Sequence, residues 1–459
     1  MGTPRRFVVV GAGISGLAAA WDLSRHGDVT VYDPARPGGK LATARFEGHR
    51  VELGADAFLT RLPDAVDLCA EVGLGHDLVA PSAGAAMVWT DAGMRDLPGG
   101  LVLGAPSNLR AIRNASMLTR RGRARAALDR VLPARCGDDD LSVHDLITQR
   151  FGQEVAWRLV DPLVGGIHAG RSEDLSARAT TPQLFAAAQH SRSMMRGLAA
   201  GGAVPAGPVF LAPAGGLSAL VDRLVGAMAQ RGVTFRRRAV ERLNILSDHR
   251  IEVGFDDASF DAAILAVPAA GAAAILGPSA PAALGSIPTA SVAMVLMSFD
   301  AGDLSPPPGV SGFLVPRNTG RLMTACSFAS SKWPSCADPG VTLLRISVGR
   351  AGDHRAEHMA DDELTGRLRA ELGCALGVLR APAAVRIRRW PDAFPQYLVG
   401  HLDRVREIRR HLGGLGAPVA VAGASYDGSG IPACIGSGRR AAAGVAGDRA
   451  GRDGTRRGS

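Results

Sequence analysis

Residues 7–10 of the chain are four consecutive apolar residues, the composition of a parallel strand buried on both faces. Over residues 13–26 apolar side chains recur at Ile14, Leu17, Ala18, Trp21 and Leu23, which is one face of a helix, and Gly27 stands where that helix is expected to stop. Val29, Val31 and Tyr32 make most of a second strand ending at Asp33. Strand, helix and strand in this order predict a βαβ unit.

Farther along, the pattern predicts a helix over 63–72 and a hairpin over 87–97 around Asp91-Ala92-Gly93. A long arginine-rich helical stretch follows over 109–132, then helices over 142–150, 154–160 and 182–196, and a loop of small residues over 197–208. A Gly215-Gly216 turn leads into a helix over 218–230 and short strands over 234–237, 239–246, 251–255 and 262–267. Strands over 292–299, 312–315, 322–327 and 342–348 predict a second sheet, followed by a helix over 361–376 and a strand over 384–390. After a further helical region the chain closes with a strand over 419–422, a Gly-rich turn, a helix over 435–446 and a charged tail over 447–459 expected to fray. The fold class expected is α/β multidomain. A discontinuous dinucleotide-binding domain of Rossmann type takes residues 1–85, 205–285 and 385–459, a mixed-sheet substrate domain takes 86–104 and 286–384, and a mainly helical domain takes 105–204.

A chain of 459 residues with 46% hydrophobic content has enough apolar surface for two or three packed domains. The formal charge is +9, and all but two of its 52 basic residues are arginine, the lysines being Lys40 and Lys332. This bias, with abundant alanine and glycine, fits a GC-rich genome. A positive balance favours acidic small molecules, anionic membrane or nucleic acid. Only 5% of residues are aromatic and no nucleic-acid motif occurs, so nucleic acid is not expected as a partner. Six scattered cysteines without a Cys-x-x-Cys pair suit free thiols in a reducing compartment, and no metal is expected. Residues 1–10 run through two arginines into a strand, with no signal-peptide pattern, and no apolar run reaches the roughly 18 residues of a membrane span. A cytoplasmic location with at most peripheral membrane contact is expected.

Gly11, Gly13 and Gly16, with Ala12, Ile14 and Ser15 between them, join the first strand to the first helix. In that context the first glycine permits a tight turn, the second lets a pyrophosphate approach the backbone, and the third allows close helix–strand packing. The helix N-terminus offers unpaired N–H groups to the phosphates, and Asp33 stands where a carboxylate meets a ribose hydroxyl. A carboxylate there disfavours the extra phosphate of NADP and leaves NAD or FAD.

Pro37-Gly38-Gly39-Lys40 resembles the second fingerprint of the FAD-dependent amine oxidase and desaturase superfamily, and residues 52–58 resemble the stretch that lies along the flavin in those proteins. Residues 211–217, Ser331-Lys332-Trp333-Pro334, Arg389-Trp390-Pro391 with Pro395-Gln396-Tyr397, and Gly430-Ile431-Pro432-Ala433-Cys434-Ile435 resemble signatures of the protoporphyrinogen/coproporphyrinogen oxidase family. They occur in order over nearly the whole chain, with least cover over 100–200. The resemblance implies FAD-dependent, six-electron oxidation of a porphyrinogen to a porphyrin in haem biosynthesis, with three O2 reduced to three H2O2. It is greatest to the soluble coproporphyrinogen III oxidases of high-GC Gram-positive bacteria. Protoporphyrinogen IX is the alternative substrate; another amine oxidase or desaturase, or a non-catalytic FAD scaffold, is the further alternative. Only three tyrosines occur, too few to favour the aromatic cage of an amine oxidase.

Carried onto this sequence, the resemblance implies FAD contacts at Gly11, Ala12, Gly13, Ile14, Ser15, Gly16, Asp33, Gly39, Lys40, Gly54, Ala55, Asp56 and Ala57. It adds Val240 on a strand passing the adenine, Trp390, and Ile431, Pro432 and Ala433 beside the isoalloxazine, with Ile435 opening a helix whose N–H groups face N1 and C2=O. Cys434 aligns with a small residue of monoamine oxidases and not with their linking cysteine, so the FAD is expected to be non-covalent. Arg61 and Lys332 are the cations expected to meet substrate propionates, and no acid or base is assigned. Other haem-pathway enzymes are expected as partners, and the arginines between Arg110 and Arg135 are expected to be mainly solvated.

Overall fold

The structure, a computed structural model, describes residues 4–132, 137–201, 207–304, 306–378 and 380–452. Arg5–Val10 forms the centre of a five-stranded parallel sheet, flanked by Gly27–Tyr32 and Thr234–Arg236 on one side and by Ala262–Leu265 and Val419–Val421 on the other. Phe7 and Val9 face one core and Val8 and Val10 the other, which explains the uninterrupted apolar run. The first helix is Ile14–Leu23 and stops before Gly27. Gly27 instead opens the second strand opposite Arg5, where an added Cβ would lie 2.1 Å from the Arg5 carbonyl.

The final helix starts earlier and runs longer than expected, over Ile431–Arg452, so 447–452 continue the helix and 453–459 lie outside the described residues. It crosses the first helix so closely at Gly438 that a Cβ there would stand 2.1 Å from the Ser15 carbonyl. The two ends of the chain are thereby locked over one face of the parallel sheet.

The second sheet has seven strands in the order Ala384–Pro395, Thr289–Asp300, Val341–Val348, Met323–Phe328, Val310–Leu314, Ala85–Thr90 and Gly93–Asp96. It is antiparallel except where Val310–Leu314 meets Ala85–Thr90. Between the two sheets in sequence stand short helices around a core that includes Leu146, Ile147, Phe151 and Leu159. The arginine-rich stretch is broken into Leu109–Asn114, Arg120–Ala127 and a last turn over Leu128–Arg130. Asn108 and Thr119 each cap a separate helix by accepting an N–H. Two of these arginines are spent on the protein: Arg125 donates to the carbonyls of Thr148, Gln149 and Arg150, and Arg123 donates to Ala115 O. The expected helix over 182–196 is two, Pro182–His190 and Met194–Ala200. The second takes up 197–200 of the expected loop, and 202–206 of that loop lie outside the described residues. The strand expected over 239–246 shrinks to Leu243–Ile245, which leaves Val240 outside any strand.

One side chain ties the sheets together. Arg345, buried on Val341–Val348, donates from Nε to Glu52 O (2.8 Å), from Nη2 to Gly54 O (2.6 Å) and from Nη1 to Asp56 Oδ2 (2.8 Å). Lys332 Nζ reaches the same Asp56 oxygen at 2.7 Å. Glu52, also buried, accepts the Leu217 N–H at 2.8 Å and so anchors the start of the helix Leu217–Gln230 beyond the Gly-Gly turn.

Burial by itself would raise the Asp56 pKa, but Arg345 and Lys332 override it and hold the carboxyl at about 2. The folded value lies below the unperturbed 3.8, so the cluster's stabilisation is present above pH ~4 and is lost as pH falls towards 2. An acid unfolding series should show this limb in the natural chain and lose it in Asp56→Asn. Arg345→Met, which leaves half-buried Asp56 with Lys332 and the Trp333 Nε1 donor and frees the Glu52 and Gly54 carbonyls, should lower the unfolding free energy by about 3 kcal/mol in denaturant titrations.

Candidate functional site

A cavity of about 990 Å³ opens where the parallel sheet, the seven-stranded sheet and the helix Asp161–His168 meet. Its floor is the glycine turn. Gly11 sits at φ +101° with its Cα against Ala266, where an added Cβ would lie 2.5 Å from the carbonyl. At Gly16 a Cβ would lie 1.9 Å from Gly11 O, whereas at Gly13 it would meet nothing within 4 Å. Two of these glycines serve packing, and Gly13 leaves backbone open to the cavity.

The turn is laced to the segments behind it. Asp33 accepts the Ala12 N–H on Oδ2 (2.7 Å) and the Ala35 N–H on Oδ1 (2.8 Å), and Gly38 N donates to Ala12 O at 2.8 Å. These bonds hold the Gly38-Gly39 turn, in which Gly39 has φ +57°, beside Gly13. Lys40 follows it, accessible from the cavity and donating to Ala393 O, while the protein around it lowers its pKa by desolvation.

The opposite end is the start of the last helix. Cys434 N makes the first intrahelical bond, to Gly430 O at 2.9 Å. The N–H groups of Ile431 and Ala433 precede that ladder, and Pro432 has none. The donors facing the cavity are thus at 431 and 433, and Ile435 lies a full turn inside the helix. The expectation that Ile435 opens it fails because proline is favoured in the first helical turn.

The walls are mixed. Trp390 donates from Nε1 to Leu53 O at 2.8 Å and carries the Arg388 guanidinium 4.4 Å from its ring. Tyr397 is buried, donates to Ala424 O and stacks on His401 at 4.4 Å. Burial depresses His168 to about 4, so its ring is neutral near pH 7. Burial pushes the Cys434 thiol up to about 11.

Of the residues expected from sequence, Gly11, Gly13, Ile14, Ser15, Asp33, Gly39, Lys40, Gly54, Ala55, Asp56, Ala57, Trp390, Ile431, Pro432 and Ala433 line this one cavity, and Arg61 lies at its exposed rim. Ala12 and Gly16 do not line it, since they support the turn from within. Val240 packs in the core with Tyr32 and Phe260 and does not line it. Lys332 does not line it either, its ammonium being held on Asp56. Sequence reading missed Asp161, His168, Arg317 and Arg350 in the walls. Nothing in the order of residues separated these two arginines from the others of so arginine-rich a chain.

A family model described as flavin containing amine oxidoreductase matches residues 14–446. The coproporphyrinogen III oxidase of Mycobacterium tuberculosis is 36% identical over 453 residues, covering 96% of this chain and 98% of that protein. That of Bacillus subtilis is 30% identical over 455 residues, covering 95% and 97%. Among solved structures, a candidate protoporphyrinogen oxidase from Exiguobacterium superimposes with TM-score 0.88 at 29% identity, covering 97% of this chain and 100% of that one. The match runs from Ile14 through the seven-stranded sheet, the parallel strands after Arg5–Val10 and most of the last helix, and a flavin is the cofactor this family carries. The chain belongs to the flavin containing amine oxidoreductase family, as an oxidoreductase related over nearly its whole length to coproporphyrinogen III oxidases.

Proposed function

We propose that the chain holds FAD non-covalently and oxidises coproporphyrinogen III to coproporphyrin III in haem biosynthesis, passing six electrons to three O2 and releasing three H2O2. The observation that carries this reading is that one cavity joins the open glycine cradle to the first turn of the last helix and to cationic walls. The residues fit the cofactor: the open face at Gly13 and the first amides of Ile14–Leu23 suit a pyrophosphate, and the Ile431 and Ala433 N–H groups suit the electron-rich edge of a flavin ring. Asp33, with lone pairs beyond its two backbone bonds, suits a ribose hydroxyl. A thiol raised to about 11 is almost wholly protonated near pH 7 and a poor nucleophile, which supports non-covalent binding at Cys434.

When bound, the flavin supplies the two-electron acceptor for a methylene bridge of the macrocycle. This chain's residues contribute placement. Arg61 at the rim offers a cation to a propionate, the aromatic and aliphatic walls exclude water, and neutral His168 adds polarity without a competing charge. Other haem-pathway enzymes are the partners proposed, in the cytoplasm. No helix of the described residues is long and apolar enough to cross a membrane. Protoporphyrinogen IX is kept as a second reading because the Exiguobacterium relative carries that name.

Two glycine substitutions separate cofactor binding from folding. Gly13→Ala, at φ −70° and with free space around its Cβ, should leave the unfolding midpoint of the apoprotein unchanged while weakening FAD binding about tenfold or more in flavin titrations. Gly16→Ala should destabilise the apoprotein itself, by about 2 kcal/mol or more. Acid denaturation of the holoenzyme should release all the flavin into the supernatant, and flavin retained on the polypeptide would refute non-covalent binding. In aerobic assays coproporphyrinogen III should yield porphyrin fluorescence faster than protoporphyrinogen IX. Absence of porphyrin from both substrates would overturn the function.

A further inference from the structure

Arg317 and Arg350 stand together in the wall contributed by the seven-stranded sheet. Arg317 opens the turn Arg317–Thr319 beyond the strand Val310–Leu314, and Arg350 lies just past the end of Val341–Val348. Both line the cavity, Arg350 with only 9% of its surface exposed. Their hydrogen bonds go to backbone carbonyls: Arg317 to Ala351 O (3.0 Å) and Gly170 O (3.3 Å), and Arg350 Nη2 to Met323 O (3.2 Å). Arg350 Nε is buried with no hydrogen-bond partner.

Neither guanidinium forms an ion pair among the described residues, although acids lie in the neighbourhood. Asp353 is taken by Arg355, at 2.7 Å and 2.8 Å, and Asp161 Oδ1 accepts the backbone N–H and the hydroxyl of Ser172. Desolvation, with repulsion from Arg317, lowers Arg350 to about 10, and desolvation lowers Arg317 as well, in both cases outweighing the attraction of Asp161 and Asp353. Two like charges placed together in a protein wall are costly unless an anion joins them. A planar guanidinium that lines a cavity without an ion pair is the group that a carboxylate completes.

We infer that Arg317 and Arg350 form a second, deeper carboxylate site, which holds one acidic side arm of the substrate while Arg61 meets another at the rim. This rests on the porphyrinogen reading above, because a macrocycle with carboxylates around its edge is the ligand that spans an exposed and a buried cation in one cavity. The pair then fixes how the ring is turned in the cavity, and so which methylene bridge is presented.

The test uses FAD-loaded enzyme and coproporphyrin III as a fluorescent probe, with its uncharged tetramethyl ester as control. Arg317→Gln and Arg350→Gln should each weaken coproporphyrin III binding about tenfold and raise KM for coproporphyrinogen III by a similar factor. The FAD content and the affinity for the ester should not change, and Arg350→Lys should recover part of the loss. Unchanged coproporphyrin III affinity in Arg317→Gln, which keeps the Arg350–Met323 bond, would overturn the inference even if Arg350→Gln fails to fold. An equal loss for the ester would do the same, and loss of FAD would move the pair to the cofactor and reject it as a substrate site. Natural enzyme that neither binds coproporphyrin III nor forms it would overturn the functional reading, and this assignment with it.

Discussion

The arrangement of both halves of the molecule depends on the buried guanidinium of Arg345. Its three nitrogens all donate to residues 52–56, two to carbonyls and one to the Asp56 carboxylate. A buried charge is destabilising unless it is paired and fully hydrogen-bonded, so this cluster tolerates little displacement. That intolerance sets the position of the seven-stranded sheet against residues 52–56, of which Gly54, Ala55 and Asp56 line the cavity. Through Glu52 and the Leu217 N–H the same stretch is fixed to the helix that packs on the parallel sheet.

Around that clamp, close backbone contacts do the rest. Gly16 and Gly438 let the first helix meet its own turn and the last helix at distances no side chain permits. Gly13 differs, since the space above it is empty of protein. The two helix starts that bound the cavity, at Ile14 and Ile431, are brought to one site by strands from opposite ends of the chain. Each presents backbone donors that its own helix does not use. A dinucleotide placed between them, as proposed, meets its phosphates at one helix and its ring at the other.

The cations of the cavity differ in exposure. Arg61 and Lys40 are exposed, Lys40 with its pKa lowered by desolvation, and Arg350 is almost wholly buried. An exposed cation is screened by water and contributes mainly to encounter, whereas a buried one discriminates strongly between a charged and a neutral ligand. The imidazole of His168 and the thiol of Cys434 are neutral beside these cations, and the carboxylates of the lining are engaged with protein groups, Asp56 with Arg345 and Lys332 and Asp33 with backbone N–H groups.

Much of the parallel sheet was legible because its signals are local. An apolar run at 7–10, a helical face from Ile14 to Leu23 and a carboxylate at 33 each follow from residues within a few turns of one another, and the strands formed as read. The first turn at Ile431 and the breaks within 109–132 were misread, although Pro432 and the caps Asn108 and Thr119 are the local signals that mark them. What tertiary structure alone decided is where each charge is spent. Lys332 went to Asp56, which lies 276 positions away in the chain, and Val240 went to a core that includes Tyr32. Arg345 became a clamp, while Arg317 and Arg350 line a cavity and form no ion pair among the described residues. The sequence by itself determined the elements and the cofactor cradle, because backbone geometry and periodicity act over short range. The partners of its arginines depended on which distant strands came to lie side by side, because an ion pair is set by separation in space.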